Sequence, residues 1–190
     1  CRRLGRIWGA LAGYESPNKD SDAEFCFRIQ GKEGRNRFCG VLRRIGCRYL
    51  QIHIVAPWAK LYDCRVAGTN YPAEEMRVQI EDGLRRKIYG NGVRTLKRCM
   101  HEHYEDCPWR EQALYAMDSR NQMLFGSYVF KNNEGYVKAN LRLMANGLRA
   151  DGLLELCFPA RVGITIPSFS CYFVLALAEY FERTKDSAFL

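Results

Sequence analysis

No C-x-x-C pair occurs among the nine cysteines of this chain, which stand at positions 1, 26, 39, 47, 64, 99, 107, 157 and 171. An odd count without paired spacing excludes a disulfide framework and a four-ligand zinc site. The expectation is mostly small, buried, reduced thiols, which favours a cytosolic setting. Long apolar runs are missing too. The longest, Cys171 to Ala178, falls far short of the roughly 20 residues that span a bilayer, so no membrane partner is expected. No signal-peptide pattern opens the chain. It begins Cys-Arg-Arg without Met, as a segment of a longer protein would, and a targeting segment could then lie upstream. There is no internal repeat and no low-complexity tract.

What is present is apolar and aromatic enough to fill a core. The 190 residues are 47% apolar and 13% aromatic, which excludes a disordered composition. The formal charge of +8 is uneven. Residues 1–100 carry 20 Lys/Arg against 10 Asp/Glu, whereas residues 101–190 carry 9 against 11. A basic first half raises nucleic acid as a partner. Its arginines (Arg28, Arg43, Arg48, Arg65, Arg77) are scattered, however, and no RNP, zinc-finger or helix-turn-helix pattern accompanies them, so no nucleic acid is expected.

The period of the apolar residues changes along the chain. Over residues 1–80 short alternating runs predict strands: "EFCFRIQ" with Phe25, Phe27 and Ile29 on one side, "CRYLQIHIV" with Leu50, Ile52 and Ile54, and "LYDCRVA". Gly31, Gly34, Gly40, Gly46 and Pro57 punctuate them, as in an antiparallel sandwich. From residue 81 the spacing is helical. Leu84, Ile88, Val93, Leu96 and Met100 mark a first helix, 108–128 a second, 135–148 a third, and 168–184 a fourth that Pro167 and Ser168 would start. Residues 150–166 read as an irregular loop. Strands followed by helices make the chain α+β, with a strand domain over 1–80 and a helical domain over 81–190.

The stretch "HEHYEDCPWREQALYAMDSR", residues 101–120, places five carboxylates among large apolar groups. With Pro108 in the first turn of a helix, Glu111, Leu114, Tyr115, Asp118 and Gln122 would share one face. Glu111 and Asp118 would then stand about 10.5 Å apart along the axis and could bracket a ligand. Acid, aromatic, acid and amide on one face suit a sugar, whose ring stacks on aromatics while carboxylates accept its hydroxyls. Glycosidic cleavage needs one protonated carboxyl to release the leaving oxygen and a second carboxylate acting from the opposite side. Glu111, beside Trp109 and Tyr115 and between Asp106 and Asp118, has the apolar and anionic surroundings that keep a carboxyl protonated. The structural alternatives are a cap for Asp106, an ion pair with Arg110 for Glu111 and a helix-surface place for Asp118. His101 and His103, with Glu102 and Glu105, are rejected as a metal site because His-x-His on a helix diverges and no third ligand has the usual spacing. Cys107 reads as a packed thiol rather than a nucleophile. Glu155, Phe169 and Tyr172 are weaker candidates for lining a pocket.

The order Asp106-Cys107-Pro108-Trp109-Arg110-Glu111, followed by Tyr115 and Asp118, resembles the catalytic motif of glycoside hydrolase family 78, the bacterial α-L-rhamnosidases. "RRIGCRYLQI" and "GVRTLKRCMHEHYEDCPWRE" resemble the flanking segments, and the similarity extends from about Arg43 to the C-terminus. The resemblance implies the C-terminal strands of an antiparallel β-sandwich followed by the first helices of an incomplete (α/α)6 toroid. It implies an inverting hydrolase of terminal α-L-rhamnosyl or similar deoxysugar linkages. Glu111 would be the general acid, Asp106 and Asp118 would hold sugar hydroxyls, Arg110 would orient the carboxylates, and Tyr115 would be a stacking platform where many relatives have Trp. No cofactor is implied. The family has twelve helices against about four here, and its general base is a Glu from a late segment with no match in this chain. The chain alone is therefore expected to be inactive, and its incomplete helical layer is expected to favour self-association. A related toroidal glycosidase of other sugar specificity and a non-catalytic carbohydrate-binding module are the alternatives.

Overall fold

The structure, a computed structural model, describes residues 6–10, 26–40, 44–47 and 49–189. Cys1, Phe25, Arg43 and Arg48, which figured in the sequence reading, lie outside these residues, as does the side chain of Phe27. Two compact units divide the chain between Ala67 and Gly68.

The first unit holds an antiparallel sheet of β1 (Arg6–Ala10), β2 (Cys26–Gln30) and β3 (Gln51–Val55), with β1 in the centre. Arg6 faces Gln30 on one side and Val55 on the other, and Ala10 faces Cys26 and Gln51. β2 and β3 fall inside two of the expected strands, and β1 is a central strand that alternation did not mark. The third expected strand, residues 61–67, is irregular. Its Asp63 and Arg65 bond to each other two residues apart, and both are exposed. Leu50 and Ile54 are exposed.

The second unit starts with a segment that packs into the helices. Tyr71 stacks on Tyr136 with ring centroids 4.1 Å apart. β4 (Glu74–Glu75) pairs antiparallel with β5 (Phe130–Lys131), a ribbon too short to leave a periodic signal. Four helices follow: α1 (Gly83–Arg98), α2 (Ala116–Val129), α3 (Glu134–Ala145) and α4 (Pro167–Thr184). Asp82 caps α1 by accepting the amide of Arg85 at 2.7 Å, and Lys97 and Arg98 complement its C-terminal dipole. Pro167 occupies the first turn of α4, where its missing N–H costs nothing. α1, α3 and α4 match their expected spans within a few residues. α2 does not, because it begins at Ala116 rather than Pro108.

The core is built where α1 ends and α2, α3 and α4 meet. Met100, Tyr104 and Leu141 are wholly buried, and the Tyr104 ring meets Tyr136 edge-on at 4.7 Å. The apolar face of α1 is buried only in its C-terminal half, at Val93 and Leu96; Leu84 and Ile88 remain exposed. Gly126 on α2 stands at a close approach: a Cβ there would stand 2.9 Å from the Asn133 amide nitrogen, which itself donates to the Tyr104 hydroxyl. Of the free cysteines, Cys99 and Cys157 are buried as expected, whereas Cys39, Cys64 and Cys171 are exposed. Among the described residues no helix is long and apolar enough to cross a membrane.

Candidate active site

The segment between α1 and α2 is folded by its own side chains. Asp106 and Ala113 exchange two bonds: the Asp106 amide donates to the Ala113 carbonyl, and Asp106 Oδ1 accepts from the Ala113 amide, each at 3.0 Å. Residues 108–111 form a turn inside this closure. Gln112 leaves it with φ of 52° and folds its side-chain amide back onto the Pro108 carbonyl at 3.1 Å. Tyr115 is extended, and α2 starts only after it. Glu111 therefore sits on a turn, not on the helical face with Asp118. The axial separation expected from helix geometry does not apply.

The acids nonetheless converge. Tyr115 holds its proton more tightly than an ordinary phenol, first because of burial and then because of the neighbouring Glu111 carboxylate. Burial raises the pKa of Asp118 above the usual carboxylate value, and the charges of Asp106 and Glu111 add to the rise. The buried Cys157 thiol is pushed upward by burial, then by Asp106, Glu111 and Glu155. Asp106, Glu111 and Asp118 thus lie within electrostatic reach of one another around Tyr115 and Cys157. Arg110 is mostly exposed and pairs with Glu111, whose side chain is 29% exposed. Phe169, at the start of α4, meets the Tyr115 ring edge-on at 6.1 Å. The ion pair of Arg120 with Glu179 ties α2 to α4 beside the cluster.

Each residue singled out from the sequence has a place. Asp106 closes a loop instead of capping a helix, and Glu111 makes the ion pair with Arg110 that had been its structural alternative. Asp118 is half-buried rather than on a solvated face. Glu155 is largely buried and pairs with Arg161, with Oε1 3.3 Å from its Nε. Tyr172 lies close enough to Arg120 to interact with it electrostatically. The sequence reading missed Cys157 beneath the acids; a lone cysteine fifty residues downstream carries no signal of that. It also missed the fate of His101 and Glu105, which bond to each other in the interior. His103 Nδ1 bonds the Tyr104 carbonyl at 2.7 Å, and no group of three metal-ligating side chains occurs among the described residues. Two concavities, of about 530 and 740 Å³, run along α1, and neither is lined by the acids.

Two solved structures resemble the chain. A GH78 family rhamnosidase of Bacillus sp. GL1 superposes with a TM-score of 0.83 and 27% identity, over 98% of this chain and 20% of that one. A rhamnosidase from Klebsiella oxytoca with rhamnose bound shares the fold, with a TM-score of 0.70, 21% identity, and coverage of 98% of this chain and 40% of that one. The chain thus spans a fifth and two fifths of their lengths. No curated protein matches it. Residues 77–190, which contain the whole acid cluster, match the bacterial α-L-rhamnosidase six-hairpin glycosidase domain, and the chain belongs to that family.

Proposed function

We propose that this chain is part of an inverting glycoside hydrolase that removes terminal α-L-rhamnosyl, or similar deoxysugar, residues. Its first unit is then the end of a β-sandwich, and its second unit the opening helices of an (α/α)6 toroid. Glu111 serves as general acid and protonates the leaving oxygen. Asp106 and Asp118 accept sugar hydroxyls, Tyr115 stacks on the ring, and Arg110 orients the Glu111 carboxylate. No cofactor enters this chemistry. The observation that carries the reading is the electrostatic proximity of three carboxyls around one tyrosine, in which burial and then the charges of Asp106 and Glu111 raise the Asp118 pKa. A second carboxylate acting on water from the opposite face is supplied by a part of the longer protein with no counterpart here.

In the longer protein, Glu111→Gln lowers kcat by about 10²–10⁴ on rhamnosides with poor leaving groups, the range expected for losing a general acid. An unchanged rate removes Glu111 from that role. The 190-residue chain is expected to show no turnover of an aryl α-L-rhamnoside, and measurable hydrolysis would refute the missing base. The exposed Leu84, Ile88, Val174 and Leu175 are expected to drive self-association of the isolated chain. A single monomeric boundary in sedimentation velocity at high concentration contradicts that.

A further inference from the structure

The helix α1 carries cations of one sign that the proposed chemistry does not use. Its sixteen residues include Arg85, Arg86, Lys87, Arg94, Lys97 and Arg98 and no acid. The helix dipole accounts for Lys97 and Arg98 in the last turn. It does not account for Arg86 in the first turn, where a cation is disfavoured. Arg86, Gly90, Arg94 and Arg98 follow one another at i+4 spacing, and with Lys97 they line the cleft of about 530 Å³ on this helix. Arg86 and Arg98 are twelve residues apart, about 18 Å along the axis.

The charge in this cleft is largely uncompensated. Glu75 is the one carboxylate lining it, and its Oε1 accepts from Lys97 Nζ at 2.9 Å. Arg86 donates to the Ile80 and Glu81 carbonyls at 3.1 and 2.9 Å, which fixes its guanidinium without neutralising it. Among the described residues no carboxylate pairs with Arg86, Arg94 or Arg98, and all three are exposed. A cleft lined by one sign of charge concentrates ions of the other sign, and a guanidinium fork matches a carboxylate in both shape and charge. Gly90 adds an independent sign of use. A Cβ there would meet nothing within 4 Å beyond the helix's own backbone. Packing therefore does not need the glycine, and glycine is a poor helix former. Its bare surface opens the cleft between the guanidinium groups of Arg86 and Arg94, while Tyr89 supplies an aromatic wall.

We propose that this cleft is a second carbohydrate site, separate from the acid cluster, that binds an acidic glycan through its carboxylate groups. Arg94 and Arg98 take the carboxylates, Arg86 extends the positive track, and a sugar ring lies over Gly90 against Tyr89. The choice of a glycan among anionic ligands rests on the function proposed above. The two sites have opposite charge, so the cleft holds acidic units of a chain while the acid cluster takes a neutral deoxysugar.

The experiment titrates the 190-residue chain with oligogalacturonate, with its fully methyl-esterified form, and with single-stranded DNA of matched charge. The oligogalacturonate binds, the affinity falls as salt rises, and the neutral ester does not bind. The double variant Arg94→Gln/Arg98→Gln weakens binding by about tenfold. Gly90→Leu, which fills the cleft without changing its charge, weakens it as well. Lys32→Gln/Arg37→Gln, which removes the same charge from exposed positions of the first unit, changes little. Helical circular dichroism confirms that each variant is folded. A double variant no weaker than that control, a neutral Gly90→Leu, an ester that binds equally, or DNA that binds as tightly as the oligogalacturonate each overturns the proposal. The two readings fail separately. If the uronate binds at the cleft and Glu111→Gln leaves the longer protein's rate unchanged, the cleft stands and the general-acid reading falls. If Glu111→Gln abolishes the rate and no uronate binds, only the cleft falls.

Discussion

The two units of this chain use their apolar residues in opposite ways. In residues 68–190 the helices bury a continuous core, with Met100, Tyr104 and Leu141 sealed from solvent. In residues 29–40, 44–47 and 49–67 no residue is buried, and Trp58 is 82% exposed. Both units complete backbone hydrogen bonds, one within helices and the other between three strands. The difference lies in the second layer. A few short helices close in sequence can pack on one another, whereas a single sheet needs something to cover its face. Backbone pairing alone therefore does not make a core.

Large-to-small substitution tests the contrast most strongly. Leu141→Ala is expected to cost about 2–5 kcal/mol in urea unfolding followed by helical circular dichroism, and Trp58→Ala no more than about 0.5 kcal/mol. Equal costs would mean that the first unit has a core of its own. Gly126→Ala sharpens the picture inside the helical unit. The added methyl must displace the Asn133 amide from its 2.9 Å approach, an overpacking expected to cost about 1–3 kcal/mol. A neutral result would show that Asn133 and Tyr104 can yield.

The smallest effects come from two aspartates shifted in opposite directions. Asp118 has a raised folded-state pKa, caused first by burial. Its contribution to stability is fully present below the unfolded value and is lost as the pH rises through the folded one. Asp186 has a lowered pKa, caused first by its bond from Lys138. Its contribution is present above the unfolded value and is lost as the pH falls through the folded one. Near neutral pH, Asp118→Asn is therefore expected to stabilise the helical unit, and Asp186→Asn to weaken it. Thermal melts across the acid range check both signs, and a common sign for the two variants would break the assignment.

Much of the helical unit was legible in the sequence, because α1, α3 and α4 are amphipathic or carry a clear proline start. The start of α2 was not. Pro108 fits a first helical turn as well as it fits a loop, and the deciding interaction is Asp106 meeting Ala113 seven residues on. Periodicity does not encode such a bond, nor the left-handed Gln112 that follows the turn. The order of acids and aromatics named the cluster without locating it on the right element. His101 and Glu105 have the spacing of a helical pair but stand in irregular chain, so their contact was equally hidden. In the first unit, alternation found β2 and β3 but not the central β1, and it wrongly extended to residues 61–67, where a local ion pair replaces a ladder.

The late start of α2 has a consequence for how this scaffold diversifies. The separation between Glu111 and Asp118 is not locked to the pitch of a helix. It is set by the four residues between Cys107 and Gln112 and by the extended link to Tyr115. Lengthening or shortening that small loop would respace the two carboxyls while leaving every helix, and the core beneath them, untouched.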